Sequence, residues 1–114
     1  QKVLLLGTKY TMQSTLYQNR LRKKGIMCMT PNDKDQNQVH RIIYQELIQG
    51  KFLEESKQTI LNILKDAKKQ GIEGVILGCT ELPLLIKEKD LDMLRIDTLE
   101  AHVEWIVSFI LNHH

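Results

Sequence analysis

Gly74-Val75-Ile76-Leu77-Gly78-Cys79-Thr80-Glu81-Leu82-Pro83 is the stretch whose reading decides the fold. Gly74–Leu77 is a short apolar run without alternation, the pattern of a strand buried on both faces, and Gly78 ends it. A strand covered on both faces needs helices on each side of its sheet, which implies parallel neighbours. The same signature recurs at Val3–Leu6, closed by Gly7-Thr8. It recurs again at Ile26–Met29, closed by Thr30-Pro31-Asn32-Asp33, and at Met93–Ile96, followed by Asp97-Thr98. Between these runs the apolar period lengthens to that of a helix. One helix is predicted over Thr11–Lys24, with Met12, Leu16 and Leu21 inward and a stop at Gly25. A second runs over Asp35–Gly50 on Val39, Ile42, Ile43 and Leu47, and a third from about Glu54 on Ile60, Ile63, Leu64 and Ala67 to Gly71. A short helix is expected over Leu84–Lys87, and a last one after Asp97-Thr98 to about Leu111. Strands alternating with helices predict a three-layer α/β domain, flavodoxin-like in plan, with about four parallel strands and right-handed crossovers.

Composition agrees with one such domain. The chain has 114 residues, 42% hydrophobic and 26% charged, a soluble globular mixture that excludes disorder and a disulfide scaffold. Its formal charge of +2 comes from interspersed signs and provides no field for gripping nucleic acid. The densest basic cluster, Arg20, Arg22, Lys23 and Lys24, suits a helix C-terminus. Cys28 and Cys79 form no CxxC, so zinc-ribbon and thioredoxin motifs are excluded, and free thiols fit a reducing, cytoplasmic setting. No apolar run reaches the ~20 residues of a membrane span, and no signal peptide precedes the first strand. The start at Gln1, directly before a strand, reads as a piece cut at a domain edge. GxGxxG and GxxxxGK[ST] are absent, as are an acidic pair after the first strand and a lysine set for a Schiff base. Dinucleotide, nucleoside triphosphate, phospho-acceptor and pyridoxal phosphate chemistry all lack their residues. No metal role is assigned, including to His113 and His114.

Ligands of open α/β sheets bind beyond the carboxyl ends of the strands. Three polar clusters are expected there: Gly7-Thr8 with Thr11, Gly78-Cys79-Thr80-Glu81, and Asp97-Thr98 with His102. Cys79 has two readings. It is a small buried apolar residue, or a reactive thiol whose anion is favoured by the N–H groups before a helix. Thr80 adds a hydroxyl for an anion or for the sulfur. Glu81 reads as a first-turn carboxylate or a group beside Cys79, and His102 as structural or as part of the same edge. Cys28, between Met27 and Met29 in a strand, reads as core. The last helix, with Val103, Trp105, Ile106, Val107, Phe109, Ile110 and Leu111, is apolar nearly all round. Either it is wedged deep in the domain or it packs on a second body as well.

The segment Gly74 to Leu85 closely resembles the second-cysteine motif of the aspartate/glutamate racemase family. Three further segments agree in order and spacing: Leu5-Leu6-Gly7-Thr8 through Thr11-Met12, Ile43-Tyr44-Gln45-Glu46-Leu47 with Gly50-Lys51, and Ile96-Asp97-Thr98 through His102. Glu81 resembles the aspartate racemase branch, where glutamate racemases usually carry histidine. The resemblance implies a two-domain, cofactor-independent racemase with an acidic amino acid in the cleft between its domains. Cysteines on opposite sides of Cα remove and return the proton. On that pattern Cys79 is one acid/base, Thr80 contacts the substrate carboxylate, and Thr8 and Thr11 line the cleft. Glu81 and His102 are supporting groups, and Lys51 is either a substrate contact or a solvated lysine. The first cysteine motif is missing, and Cys28 does not replace it. The resemblance therefore implies the C-terminal domain of a racemase about twice as long, inactive alone and suggestive of a homodimer when whole. Maleate isomerase-like or decarboxylase relatives, and a non-catalytic domain holding an acidic ligand, are the alternatives.

Overall fold

The computed structural model describes residues 1–97 and 103–112. Four strands, β1 (Lys2–Leu6), β2 (Met27–Met29), β3 (Gly74–Leu77) and β4 (Leu94–Asp97), form one parallel sheet in the order β2-β1-β3-β4. Leu4 pairs with Val75 and Leu6 with Leu77, while Val75 pairs with Arg95 and Leu77 with Asp97. The carboxyl ends of β1, β3 and β4 are thereby brought level. Chain direction across the sheet reverses between β1 and β3, so their carboxyl ends flank the switch point where such folds hold ligands. The expected flavodoxin-like α/β domain is the fold observed.

The helices are α1 (Lys9–Gln13), α2 (Leu16–Lys23), α3 (Asp33–Ile42), α4 (Glu54–Lys69), α5 (Leu82–Leu85) and α6 (Val103–Asn112). Alternation along the strands sorts them into two layers. Leu4, Leu6, Val75 and Leu77 face a core built with Val39 and Ile42 of α3, Ile60 and Leu64 of α4, and Leu82 and Leu85 of α5. Val3, Leu5, Cys28, Ile76 and Ile96 face the opposite core, with Leu21 of α2 and Ile106, Val107 and Ile110 of α6. Among the described residues no helix is long and apolar enough to cross a membrane.

Four local expectations are corrected. The helix predicted over Thr11–Lys24 is two helices, because Ser14 is extended at φ −72°, ψ 131° and interrupts it. Serine and threonine compete with the helical ladder through their own hydroxyls, and Leu16, assigned to the buried stripe, is exposed. The Asp35–Gly50 helix begins two residues earlier, where the Asn32 side chain accepts the Asp35 N–H at 2.8 Å. It then widens into a π-turn over Ile43–Leu47, closed by Ile48 N–H to the Ile43 carbonyl at 2.9 Å. α5 starts at Leu82, two residues before its predicted start, with Pro83 in its first turn. β4 lies one residue later than predicted, which moves Asp97 from the following turn into the strand.

Candidate active site

The site grows from two glycines. A Cβ added to Gly78 would lie 2.8 Å from the Leu6 carbonyl oxygen and 3.3 Å from Thr11 Cγ2. A Cβ added to Gly7 would lie 3.1 Å from the same Thr11 methyl. Only glycine permits this approach, so the turn after β1 and the turn after β3 lie against each other, with the Thr11 methyl over both. Thr8 caps α1: its Oγ1 accepts the Thr11 N–H at 3.3 Å and lies 3.2 Å from Thr11 Oγ1, sharing a hydrogen bond. Two threonine hydroxyls are thus held together beside the loop that carries Cys79.

Cys79 is half-buried, and its Sγ accepts the Leu82 N–H at 3.4 Å. That bond is the feature expected to favour a thiolate, and it is present. Its effect is outweighed: burial pushes the Cys79 thiol up, and the carboxylates of Glu81 and Asp97 push it further. Backbone hydrogen bonds from Leu82 and Glu81 oppose them without reversing the shift. The thiol, rather than the thiolate, is therefore the form this environment favours. Cys28 lies in the core behind the sheet, and burial raises its thiol to about 11. Both cysteines are free.

The neighbours of Cys79 are fixed in turn. The Thr80 hydroxyl donates to a Glu81 carboxylate oxygen, so it is engaged with its neighbour rather than with the sulfur. Arg95 of β4 donates from Nε to the Ile86 carbonyl at 3.0 Å and from Nη2 to the Pro83 carbonyl at 3.2 Å. It pins α5, and with it the Leu82 N–H, to the sheet. Sequence reasoning missed this arginine, which carries no motif. It also missed His40 of α3, whose Nδ1 accepts the Lys9 N–H at 2.9 Å in the turn after β1. The only signal for His40 was its place beside Val39 on the inward stripe of a helix.

Thr8, Thr11, Thr80, Glu81 and Cys79 thus share one edge with Asp97. Lys51 is exposed, its N–H bonded to the Glu46 carbonyl at 2.8 Å. His102 and Thr98 lie outside the described residues. Among the described residues no group of His, Cys, Asp and Glu is placed to hold a metal ion.

Fold and site define an α/β domain wound in flavodoxin order, with a cysteine loop and a threonine turn facing each other at its ligand edge. The chain belongs to the Asp/Glu/hydantoin racemase family, whose model matches residues 1–106. A candidate Asp/Glu racemase from Yersinia pestis is 40% identical and superposes with a TM-score of 0.81 over 96% of this chain and 48% of its own. An aspartate racemase homologue from Pyrococcus horikoshii is 43% identical, with a TM-score of 0.80 over 95% of this chain and 47% of its own. A glutamate racemase from Helicobacter pylori is 30% identical over 86 residues, 75% of this chain and 31% of that enzyme. The chain spans about half the length of the two structures and less than a third of the glutamate racemase.

Proposed function

We propose that this chain is the C-terminal, Cys79-bearing half of a cofactor-independent amino-acid racemase acting on aspartate. The observation that carries the reading is the half-buried Cys79 thiol at the switch point, directly after Gly78, the glycine that lies against the side chain of Thr11 in the Thr8–Thr11 hydroxyl pair. A racemase must deliver a proton to one face of Cα and take one from the other, because a single base tends to return the proton to the face it left. Cys79, favoured as a thiol, supplies the donor for one face. A second cysteine, on a domain that the relatives' greater length accommodates, supplies the thiolate for the other. That thiolate takes the Cα proton, and the bonding pair passes into the carbanion and its carboxylate. Cys79 then gives its proton to the opposite face and becomes the thiolate, so the two roles exchange for the other enantiomer.

Thr8 and Thr11 through their hydroxyls, and Thr80 through its backbone N–H while its hydroxyl stays on Glu81, hold the substrate carboxylate, where the developing charge needs hydrogen-bond donors. Glu81 and His102 are supporting groups, the first through its bond to Thr80. Aspartate is favoured over glutamate by Glu81 and by the higher identity to an aspartate racemase homologue than to a glutamate racemase. The active protein is read as a cytoplasmic homodimer.

The test is α-proton exchange of L- and D-aspartate in deuterated water, with this chain and with the chain extended by its preceding half. Exchange is expected only from the extended protein, and Cys79→Ala is expected to abolish it in both directions. Exchange by the 114-residue chain that survives Cys79→Ala overturns the two-domain account. Undiminished binding of aspartate by Cys79→Ser, without turnover in any form, supports a non-catalytic acidic-ligand domain instead.

A further inference from the structure

We propose that His40 is a positioning residue that holds the Thr8–Thr11 turn in register with Cys79 by accepting the Lys9 N–H through Nδ1. The proposal rests on the racemase reading for its consequence in catalysis, but not for the hydrogen bond itself. The first N–H groups of a helix have no partner within it, and a helix as short as α1 has little ladder to hold its start. In α1 the Thr11 N–H is taken by Thr8 Oγ1, and the Met12 N–H reaches the Thr8 carbonyl at 2.9 Å. The Lys9 N–H, next to the cap, is taken from outside by a side chain 31 residues away in sequence. This bond joins the start of α1 to α3, which packs with Met12 of α1 in the same core but lies far from it in sequence.

The geometry fixes the imidazole as well. Nδ1 can accept only when it carries no proton, so the ring is the neutral tautomer protonated on Nε2. Tyr10 meets the ring edge-on at 5.9 Å and Tyr44 lies tilted over it at 4.6 Å, restricting its rotation. The effect is transmitted by contact. If the Lys9 end of α1 drifts, Thr11 drifts with it, and the Thr11 methyl is the group seated over Gly7 and Gly78. Gly78 directly precedes Cys79. His40 thus sets both the pair of hydroxyls and the roof over the cysteine loop without contacting either.

Two substitutions separate this role from a direct one. An asparagine oxygen falls close to the place of Nδ1, whereas a glutamine amide reaches toward that of Nε2. In the extended protein, His40→Ala and His40→Gln are each expected to lower kcat/KM for aspartate about fivefold to tenfold, and His40→Asn to recover most of that loss. Recovery by His40→Gln but not by His40→Asn overturns the proposal, because it assigns the function to Nε2. A second readout is independent of racemase activity. Imidazole nitrogen NMR of this chain is expected to show His40 protonated on Nε2 alone, and His40→Ala to shift the amide signals of Lys9, Thr11 and Cys79. A ring protonated on Nδ1, or unshifted Thr11 and Cys79 signals, overturns the positioning role. If the NMR results hold and no protein form turns over aspartate, the racemase reading fails and the hydrogen bond stands.

Discussion

Cys79 and Cys28 are chemically the same residue, and the structure separates them by what surrounds the sulfur. Cys28 is buried in the core that also holds Val3, Leu5 and Ile76. Cys79 keeps access to the ligand edge but sits beside two carboxylates, Glu81 and Asp97, with backbone N–H groups of Leu82 and Glu81 directed at its sulfur. Burial first, and then these like charges, disfavour the anion, so its thiol ionises only at a higher pH than an ordinary cysteine. The sign follows directly. Below that raised value the thiol is protonated and slow to react, and as pH rises through it the thiolate appears and alkylation accelerates. Iodoacetamide labelling of Cys79, followed by mass spectrometry from neutral to alkaline pH, is expected to rise later than labelling of the unfolded chain. Glu81→Gln removes one of the opposing charges and is expected to move the rise back toward lower pH. An unchanged profile in that variant shows that the carboxylate does not act on the sulfur.

At the scale of elements, the glycine contact between β1 and β3 is the tightest constraint near the site. Gly78 donates its N–H to the Leu6 carbonyl at 2.7 Å, continuing the strand ladder one residue past β3. The oxygen that meets a Cβ at this position is that same backbone carbonyl, which cannot rotate away without breaking the bond. Gly78→Ala is therefore expected to lower stability by about 1–3 kcal/mol, the range for forced overpacking, measured by urea unfolding. The same substitution is expected to displace the Thr11 methyl. A variant as stable as the parent shows that the two turns are not in contact. Strands were legible in the sequence because Val3–Leu6 and Gly74–Leu77 are buried on both faces and read as unbroken apolar runs. The Cys79 loop was legible because a glycine stop directly follows such a run. What escaped reading depends on contacts distant in sequence or on competing hydrogen bonds. The Ser14 break turns on one backbone conformation. The π-turn accompanies Glu46, a buried carboxylate that takes the Ser56 hydroxyl and the Arg41 guanidinium, with Arg41 Nη1 at 3.0 Å. A glutamate inside an apolar helical pattern looks solvated until its partners, ten and five residues away, are known. His40 and Arg95 escaped for the same reason, since each acts on a backbone group of another element.

The whole molecule is two cores sharing one sheet. Leu6 of β1 points into the core covered by α3 and α4, and Ile76 of β3 into the core covered by α2 and α6. Neither core stands without the sheet, because each strand contributes alternate side chains to both. Cooperative unfolding of both faces together is the consequence, and the chain carries a built-in reporter for it. Trp105, its only tryptophan, lies on α6, stacked on Phe109 at 5.1 Å. It is half exposed, while Ile106, Val107 and Ile110 on the other side of α6 are buried. The last helix is therefore not fully enclosed by this domain, which leaves Trp105 and Leu111 in solvent. Leu6→Ala, on the face opposite α6, is expected to cost about 2–5 kcal/mol as a fully buried leucine. If the sheet couples the faces, the Trp105 fluorescence transition and the far-ultraviolet circular dichroism transition will shift to lower denaturant together. A Trp105 transition that stays in place while the circular dichroism transition moves shows two independently stable faces. The relative placement of the Thr8–Thr11 turn and Cys79, which both hang from the shared strands, would then vary with the state of one face alone.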